Sequence, residues 1–297
     1  MSSQHAKFLA SKTVADVLAT KKQDHALIDI HVTSTEQGFA FESGSTPDTE
    51  FLSMPVAILV GMTKSSSKLW TCQPNLPLTQ LIELFTRHRV HRILVLEENP
   101  NKLSDIDDDD DDVEAMPRQE PKGRLMSQTD VIRFLLEHNH ELGSILDTTA
   151  ERIAGHALRF SDEYLDSNSA DQLKQTPASI PINSQAWVAL QKMSTTHASS
   201  VAVVDSNGAL VAEMSAADLR GINPSRIQDL VKPVLVYLKA SQEGELKRPL
   251  SCKTQFSLGQ LLSGLVLSHA HRSWLVDEED RPIGCITLSD ILSILIE

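Results

Sequence analysis

His271-Arg272-Ser273-Trp274-Leu275-Val276-Asp277, followed by Arg281-Pro282-Ile283-Gly284-Cys285-Ile286-Thr287-Leu288-Ser289-Asp290-Ile291-Leu292, is the stretch that decides the fold. A basic pair opens an apolar run that ends at an acidic turn, the pattern of a buried strand. A second strand follows around Gly284, and Thr287-x-x-Asp290 then opens a helix. With the residues just upstream, the last quarter of the chain, Leu250 to Glu297, reads as strand, helix, strand pair and closing helix.

The same unit recurs. At a constant offset of 180, Cys72 matches Cys252, Leu78 matches Leu258, Gln80 matches Gln260, His91 matches His271 and Arg92 matches Arg272. Beyond a polar stretch the offset becomes 160, with Ser127 on Thr287 and Asp130 on Asp290, so one insertion of twenty residues separates the copies. A longer loop is tolerated because closure entropy grows only logarithmically with length. A third copy fits at offset 72 without gaps: Ser179 to Ile182, a helix around Ala186 to Met193, Val201 to Asp205, and Ser215-Ala216-Ala217-Asp218. Its strand opens on Ser199-Ser200, so it lacks the basic pair. A first copy, residues 26–60, has two strands around a weak helix near 36–42 and no Gly-led third strand or Ser/Thr-x-x-Asp. Repetition of this kind fixes the organisation before any single element does. The expected division is a truncated repeat at 14–68, a second at 69–160 with an acidic loop at 97–122, a third at 170–232 and a fourth at 246–297. The connectors 138–177 and 222–249 read as helix-compatible, the boundary between halves falls at 161–176, and residues 1–13 read as a polar, frayed start with a short helix after it.

These residues resemble CBS (cystathionine beta-synthase) domains. Four in a row are similar to the gamma subunit of the AMP-activated protein kinase. The likeness rests on His88-Arg89-Val90-His91-Arg92 and its apolar strand, on His271-Arg272 with its strand, and on Gly284 to Leu292. It implies an α/β (α+β) fold of β-α-β-β-α units that pair sheet to sheet into two Bateman modules, themselves forming a flattened disk. It also implies AMP, ADP or ATP in clefts between copies, no cofactor, no catalysis, and protein kinase catalytic and beta-type subunits as partners.

In that reading the Ser/Thr hydroxyls of Ser127, Ser215 and Thr287 meet phosphate at a helix N-terminus. Asp130, Asp218 and Asp290 accept bonds from ribose hydroxyls, while His91, Arg92, His271 and Arg272 reach phosphates from a neighbouring copy. Bland alternatives stand beside each: Ser/Thr-x-x-Asp is also a capping box, and a basic pair at a strand opening is also a solvated edge. A CBS-repeat scaffold or inhibitor of another enzyme or phosphatase, with motifs that only cap helices, is the competing function. Regulation of a channel or metabolic enzyme is a third.

Composition bounds the rest. The net charge of −13 is largely local, since Asp105, Asp107 to Asp112 and Glu114 hold eight of the forty acids and the remainder carries −5. That balance argues against a basic nucleic-acid surface but leaves room for one small anion site. The acidic run reads as solvating. No apolar run is long enough to cross a bilayer, and the start carries neither a signal h-region nor a myristoylation motif, so a cytoplasmic chain is expected, with nuclear residence open. Cys72, Cys252 and Cys285 are too few for a disulfide or zinc framework. His138 and His140 lack further metal ligands, Trp187 and Trp274 read as core, and no phosphate loop, dinucleotide fingerprint or nucleophile elbow is present.

Overall fold

The computed structural model describes residues 3–21, 69–96, 123–156, 177–196, 198–220, 222, 226–242 and 244–297. The expected strands and helix of the first repeat, the acidic loop and the boundary at 161–176 lie outside the described residues.

Three repeats share one topology. In the second, β1 (Thr71–Cys72) is followed by α3 (Leu78–Arg87), β2 (Arg92–Leu96), β3 (Gly123–Ser127) and α4 (Gln128–Glu137). The third has β4 (Ser179–Pro181), α6 (Ala186–Thr196), β5 (Ser200–Val204) and β6 (Leu210–Ser215). The fourth has β7 (Ser251–Cys252), α8 (Leu258–Leu267), β8 (Arg272–Val276), β9 (Pro282–Thr287) and α9 (Leu288–Ile294). In every sheet the first strand runs parallel to the second across a helical crossover, and the third is antiparallel to the second. Parallel neighbours need such a crossover, whereas antiparallel ones need only a turn. The turns are built alike: Asp205 Oδ1 accepts from the amides of Asn207 and Ala209, and Asp277 Oδ1 from those of Glu279 and Arg281.

Local sequence explains the helices. α3 and α8 each turn one stripe inward, Leu78, Leu81, Ile82 and Phe85 in one and Leu258, Leu261, Leu262 and Leu265 in the other. Ser257 and Gln260 form a reciprocal cap at the start of α8. The third repeat departs from expectation. Its closing segment is a single 3-10 turn, Ala216–Leu219, rather than a helix. Gly221 and Pro224 follow at once in the sequence, and neither residue favours helix continuation.

The repeats pack in two ways. Helices α3 and α4 of the second lie against α8 and α9 of the fourth, and one continuous core joins them through Phe85, Val131, Leu135, Leu262, Ile291 and their neighbours. Repeats three and four instead meet sheet to sheet. There Ala202 packs with Trp274 and Val276, the indole N–H of Trp274 donates to Glu213 Oε2 at 2.7 Å, and Leu210 N donates to Asp280 O at 2.9 Å. Consequently Ser273 to Val276 are buried on both faces, whereas β2 alternates, with Ile93 and Val95 buried and Leu94 and Leu96 half-buried.

The chain start corrects the expectation of a frayed segment. α1 (Gln4–Ala10) buries Phe8 and Leu9, with the Phe8 ring 6.0 Å from that of Phe134. α2 (Val14–Thr20) follows a complete Thr13/Asp16 capping box. Gly143 is one anchor of this docking: it has φ +62, and a Cβ there would stand 2.7 Å from Gln4 Oε1. In the described parts of the connectors, α5 (Asn139–Leu142), a 3-10 segment to Asp147, residues 150–156 and α7 (Val234–Ser241) are helical, whereas 245–250 are not.

Candidate functional site

The strand register aligns the residues singled out by sequence. Arg92 lies opposite Ser127, Ser200 opposite Ser215 and Arg272 opposite Thr287. Each repeat therefore sets the residue that opens its central strand beside the hydroxyl that precedes its closing segment.

All three closing motifs are capping boxes. Asp130 Oδ2 accepts from Ser127 N at 2.8 Å and Ser127 Oγ at 2.7 Å. Asp218 Oδ2 accepts from Ser215 N at 2.8 Å and Ser215 Oγ at 2.9 Å. Asp290 Oδ2 accepts from Thr287 N and Thr287 Oγ1, both at 2.7 Å. The amides that follow are also engaged: Gln128 N donates to His91 O, Ala216 N to Ser199 O and Leu288 N to His271 O. These segment starts thus spend most of their free N–H groups internally, which differs from the open anion site expected there. What each box leaves over is the second carboxylate oxygen.

Outside its own cap, each carboxylate finds different company. Asp218 Oδ1 accepts from Gln242 Nε2 at 3.0 Å, and Tyr237 Oη donates to the Asp218 carbonyl. Asp130 is ion-paired on Oδ2 with Lys21 Nζ at 3.3 Å, and Lys21 also donates to Leu125 O. Asp290 lies within electrostatic reach of Arg89 and His156. Burial, partly offset by the bonds from Thr287, holds its carboxyl above the ordinary range, and the positive charges of Arg89 and His156 act in the opposite sense.

The basic residues converge. Burial lowers the His271 pKa, and the charges of Arg272, Arg92, Arg220 and His91 lower it further. Three arginines and the His91 ring, from three repeats, thus lie within electrostatic reach of His271, which sits where α4 and α9 meet, a junction marked by the Gln128 Nε2 to Ser289 Oγ bond of 2.9 Å. His91, Arg92 and Arg220 are exposed, and none makes a side-chain hydrogen bond or ion pair among the described residues. Arg272 is anchored instead: it donates to Ser199 Oγ at 3.0 Å and to Ser200 Oγ, and lies 3.9 Å from Glu213. The third repeat lacks a basic pair of its own and uses its serines to hold that of the fourth.

Sequence reading missed Lys21, Arg220 and Gln242. Lys21 and Gln242 lie at or just beyond the ends of helices outside the repeat they serve, and Arg220 stands two residues past Asp218. Only the Ser-x-x-Asp spacing could have drawn attention to Arg220. Cys285 is half-buried, with its thiol pushed up by desolvation to about 12, and Cys72 is raised by burial to about 11, which fits packing rather than redox roles. Among the described residues, no group of His, Cys, Asp and Glu could hold a metal, and no helix is long and apolar enough to cross a membrane.

A CBS domain model matches residues 60–105 and 245–297. The matched stretches take in β1, α3 and β2 of the second repeat and the whole of the fourth, and the chain resembles CBS-domain proteins in its mixed α/β fold. It resembles the gamma subunit of AMP-activated protein kinase. The SNF1-related protein kinase regulatory subunit gamma-like PV42a of Arabidopsis thaliana is 22% identical over 248 residues, 81% of this chain and 67% of its own length. PV42b of the same plant is 20% identical over 281 residues, 86% of this chain and 71% of its own. The crystal structure of a proposed archaeal homolog of g-AMPK from Methanocaldococcus jannaschii superposes with a TM-score of 0.46 at 18% identity, covering 76% of this chain and 66% of that one. The chain thus spans about two thirds of the length of each. The likeness to PV42a and PV42b supports a regulatory role for the repeats.

Proposed function

We propose that the chain is a non-catalytic, adenine-nucleotide-sensing regulatory subunit of a protein kinase complex, with catalytic and beta-type subunits as its partners. The observation that carries this reading is that Arg92 and Arg272 open their strands directly opposite Ser127 and Thr287, with Arg92, Arg220, Arg272 and His91 all within electrostatic reach of His271. Like charges gathered with little neutralising carboxylate are unfavourable in themselves, and a bound polyphosphate relieves the repulsion. Glu213 is engaged by Trp274 and Arg272 and so offsets only part of that charge. A ribose needs a carboxylate oxygen outside the cap; Asp218 gives its own to Gln242, so in this reading Asp130 and Asp290 supply it. The Ser127, Ser215 and Thr287 hydroxyls act in this reading by holding the closing carboxylates in place.

The capping boxes also favour a second reading, a CBS-repeat scaffold or inhibitor whose closing motifs only cap. Calorimetric titration of the full chain with AMP and with ATP separates the two. The sensor reading expects saturable binding that Asp290→Ala weakens at least tenfold. Absence of heat at millimolar nucleotide would overturn it in favour of the scaffold. Affinity capture with and without AMP, scored for kinase catalytic and beta-type subunits, then tests the partners.

A further inference from the structure

A stretch of exposed, irregular chain leads straight into the seam between repeats three and four. Residues 245–250 have no regular secondary structure and run into β7, the edge strand of its sheet. The stretch is fixed at both ends. Lys247 N donates to Gln242 Oε1 at 3.0 Å, and Trp274 N donates to Leu250 O at 2.8 Å. The Leu250 side chain lies against Gly264 of α8, where an added Cβ would stand 3.4 Å from its Cδ1. Lys247, Arg248 and Ser251 are exposed.

An arginine three residues before a serine, here with a lysine before it, suits a protein kinase whose substrate groove is lined by carboxylates, because arginine meets them in charge-assisted bonds. Arg-x-x-Ser occurs twice in this sequence, at Arg124 to Ser127 and at Arg248 to Ser251. The first is not available to a kinase: Ser127 is half-buried and donates to Asp130 Oδ2 at 2.7 Å, while Arg124 donates to Leu18 O at 3.2 Å. The second is exposed at both residues. β7 is two residues long and pairs with β8 alone, so freeing it as an extended substrate opens only a small local part of the sheet.

We propose that Ser251 is the acceptor of an arginine-directed serine kinase, and that a phosphate there loosens the seam between repeats three and four. The proposal does not rest on the nucleotide reading. In the transfer, Ser251 Oγ forms a bond to the γ-phosphorus of ATP as the bond to the bridging oxygen breaks; ADP leaves and the hydroxyl proton passes to the kinase's base. Ser251 is the strand partner of Trp274, and side chains at paired positions share a face of the sheet. That face packs on the third repeat, where the indole holds the Glu213 carboxylate. Phosphoserine brings a charge of about −1.5 to −2 to the edge of this face and repels Glu213. It also offers Arg272, two residues from Trp274 on the same face, an anion in place of Ser199 and Ser200 of the third repeat.

The test incubates the full, folded chain with ATP and calmodulin-dependent protein kinase II as the arginine-directed probe. Wild type is expected to take up phosphate at Ser251, located by mass spectrometry of its peptides. Ser251→Ala, at an exposed position, should abolish that uptake, and Arg248→Gln should slow it at least tenfold. Failure of wild type to take up phosphate, uptake that Ser251→Ala leaves unchanged, or an unaltered rate for Arg248→Gln overturns the site. The seam is read in a chain carrying Trp70→Phe and Trp187→Phe, where Trp274 alone emits. Phosphorylation is expected to raise acrylamide quenching of that buried indole at least twofold, with Ser251→Ala in the same background showing no rise. Unchanged quenching of the fully phosphorylated chain overturns the link between Ser251 and the seam.

Discussion

Replacing Trp274 separates the two packing modes of this chain. The indole is almost fully buried, at 1% exposure, in the small cluster between the sheets of repeats three and four, where its direct neighbours are few. Truncation of a buried tryptophan to alanine costs about 3–5 kcal/mol, a large share of the ~5–15 kcal/mol that holds a typical domain. The loss falls on a seam, because the third repeat keeps its own core around Val201, Met214 and Leu230 and the second and fourth keep theirs. Trp274→Ala is therefore expected to uncouple the third repeat, so that urea unfolding becomes two-phase. Trp70 in the second repeat and Trp187 in the third serve as fluorescent reporters, read singly by combining Trp274→Ala with Trp187→Phe or Trp70→Phe. The Trp187 signal should change at lower urea than the Trp70 signal. Trp274→Phe keeps most of the buried area and loses mainly the bond to Glu213. That bond is worth about 1.5 kcal/mol at the lower end for a charged acceptor, since Arg272 stays close to the same carboxylate, and unfolding should remain in one phase. Coincident midpoints for both reporters in the alanine variant would refute the idea that this seam is what couples the third repeat to the rest.

Two further outcomes are expected. The Asp290 carboxyl has a folded pKa above its unfolded value, so its stabilising contribution is full below the ordinary carboxylate pKa of about 3.9 and is lost as pH rises through the raised folded value. Asp290→Asn should accordingly gain in melting temperature relative to wild type across that window; a pH-independent difference would refute burial as the dominant influence on this carboxyl. Phe8→Ala removes a ring that is 7% exposed and stacked on Phe134, a loss of about 3 kcal/mol, and should speed tryptic cleavage at Lys7 and Lys12. Unchanged cleavage would show that the docking of α1 does not depend on this ring.

Much of the site was legible in the chain. The match of Arg92 with Arg272, and of Ser127 with Thr287, is reproduced residue for residue by the strand registers, because both are properties of one repeat and its local periodicity. The capping boxes were legible for the same reason, since three residues suffice to form one. The third closing segment was misread as a helix, although Gly221 and Pro224 stood in view. The N-terminal helix was missed because a seven-residue helix is marginal alone and forms here against Phe134 and its neighbours.

The sequence by itself determined the strand order of the three repeats among the described residues, the strand-opening arginines of two of them and the closing acids, because spacing within a repeat is set by backbone geometry. Tertiary structure alone decided which copies join through helices and which through sheets, since each copy offers similar apolar faces and only mutual burial chooses between them. It also decided that Lys21 meets Asp130 and Gln242 meets Asp218, contacts between residues 109 and 24 positions apart. A carboxylate's partner depends on which helix end is brought to it, and no local pattern carries that information.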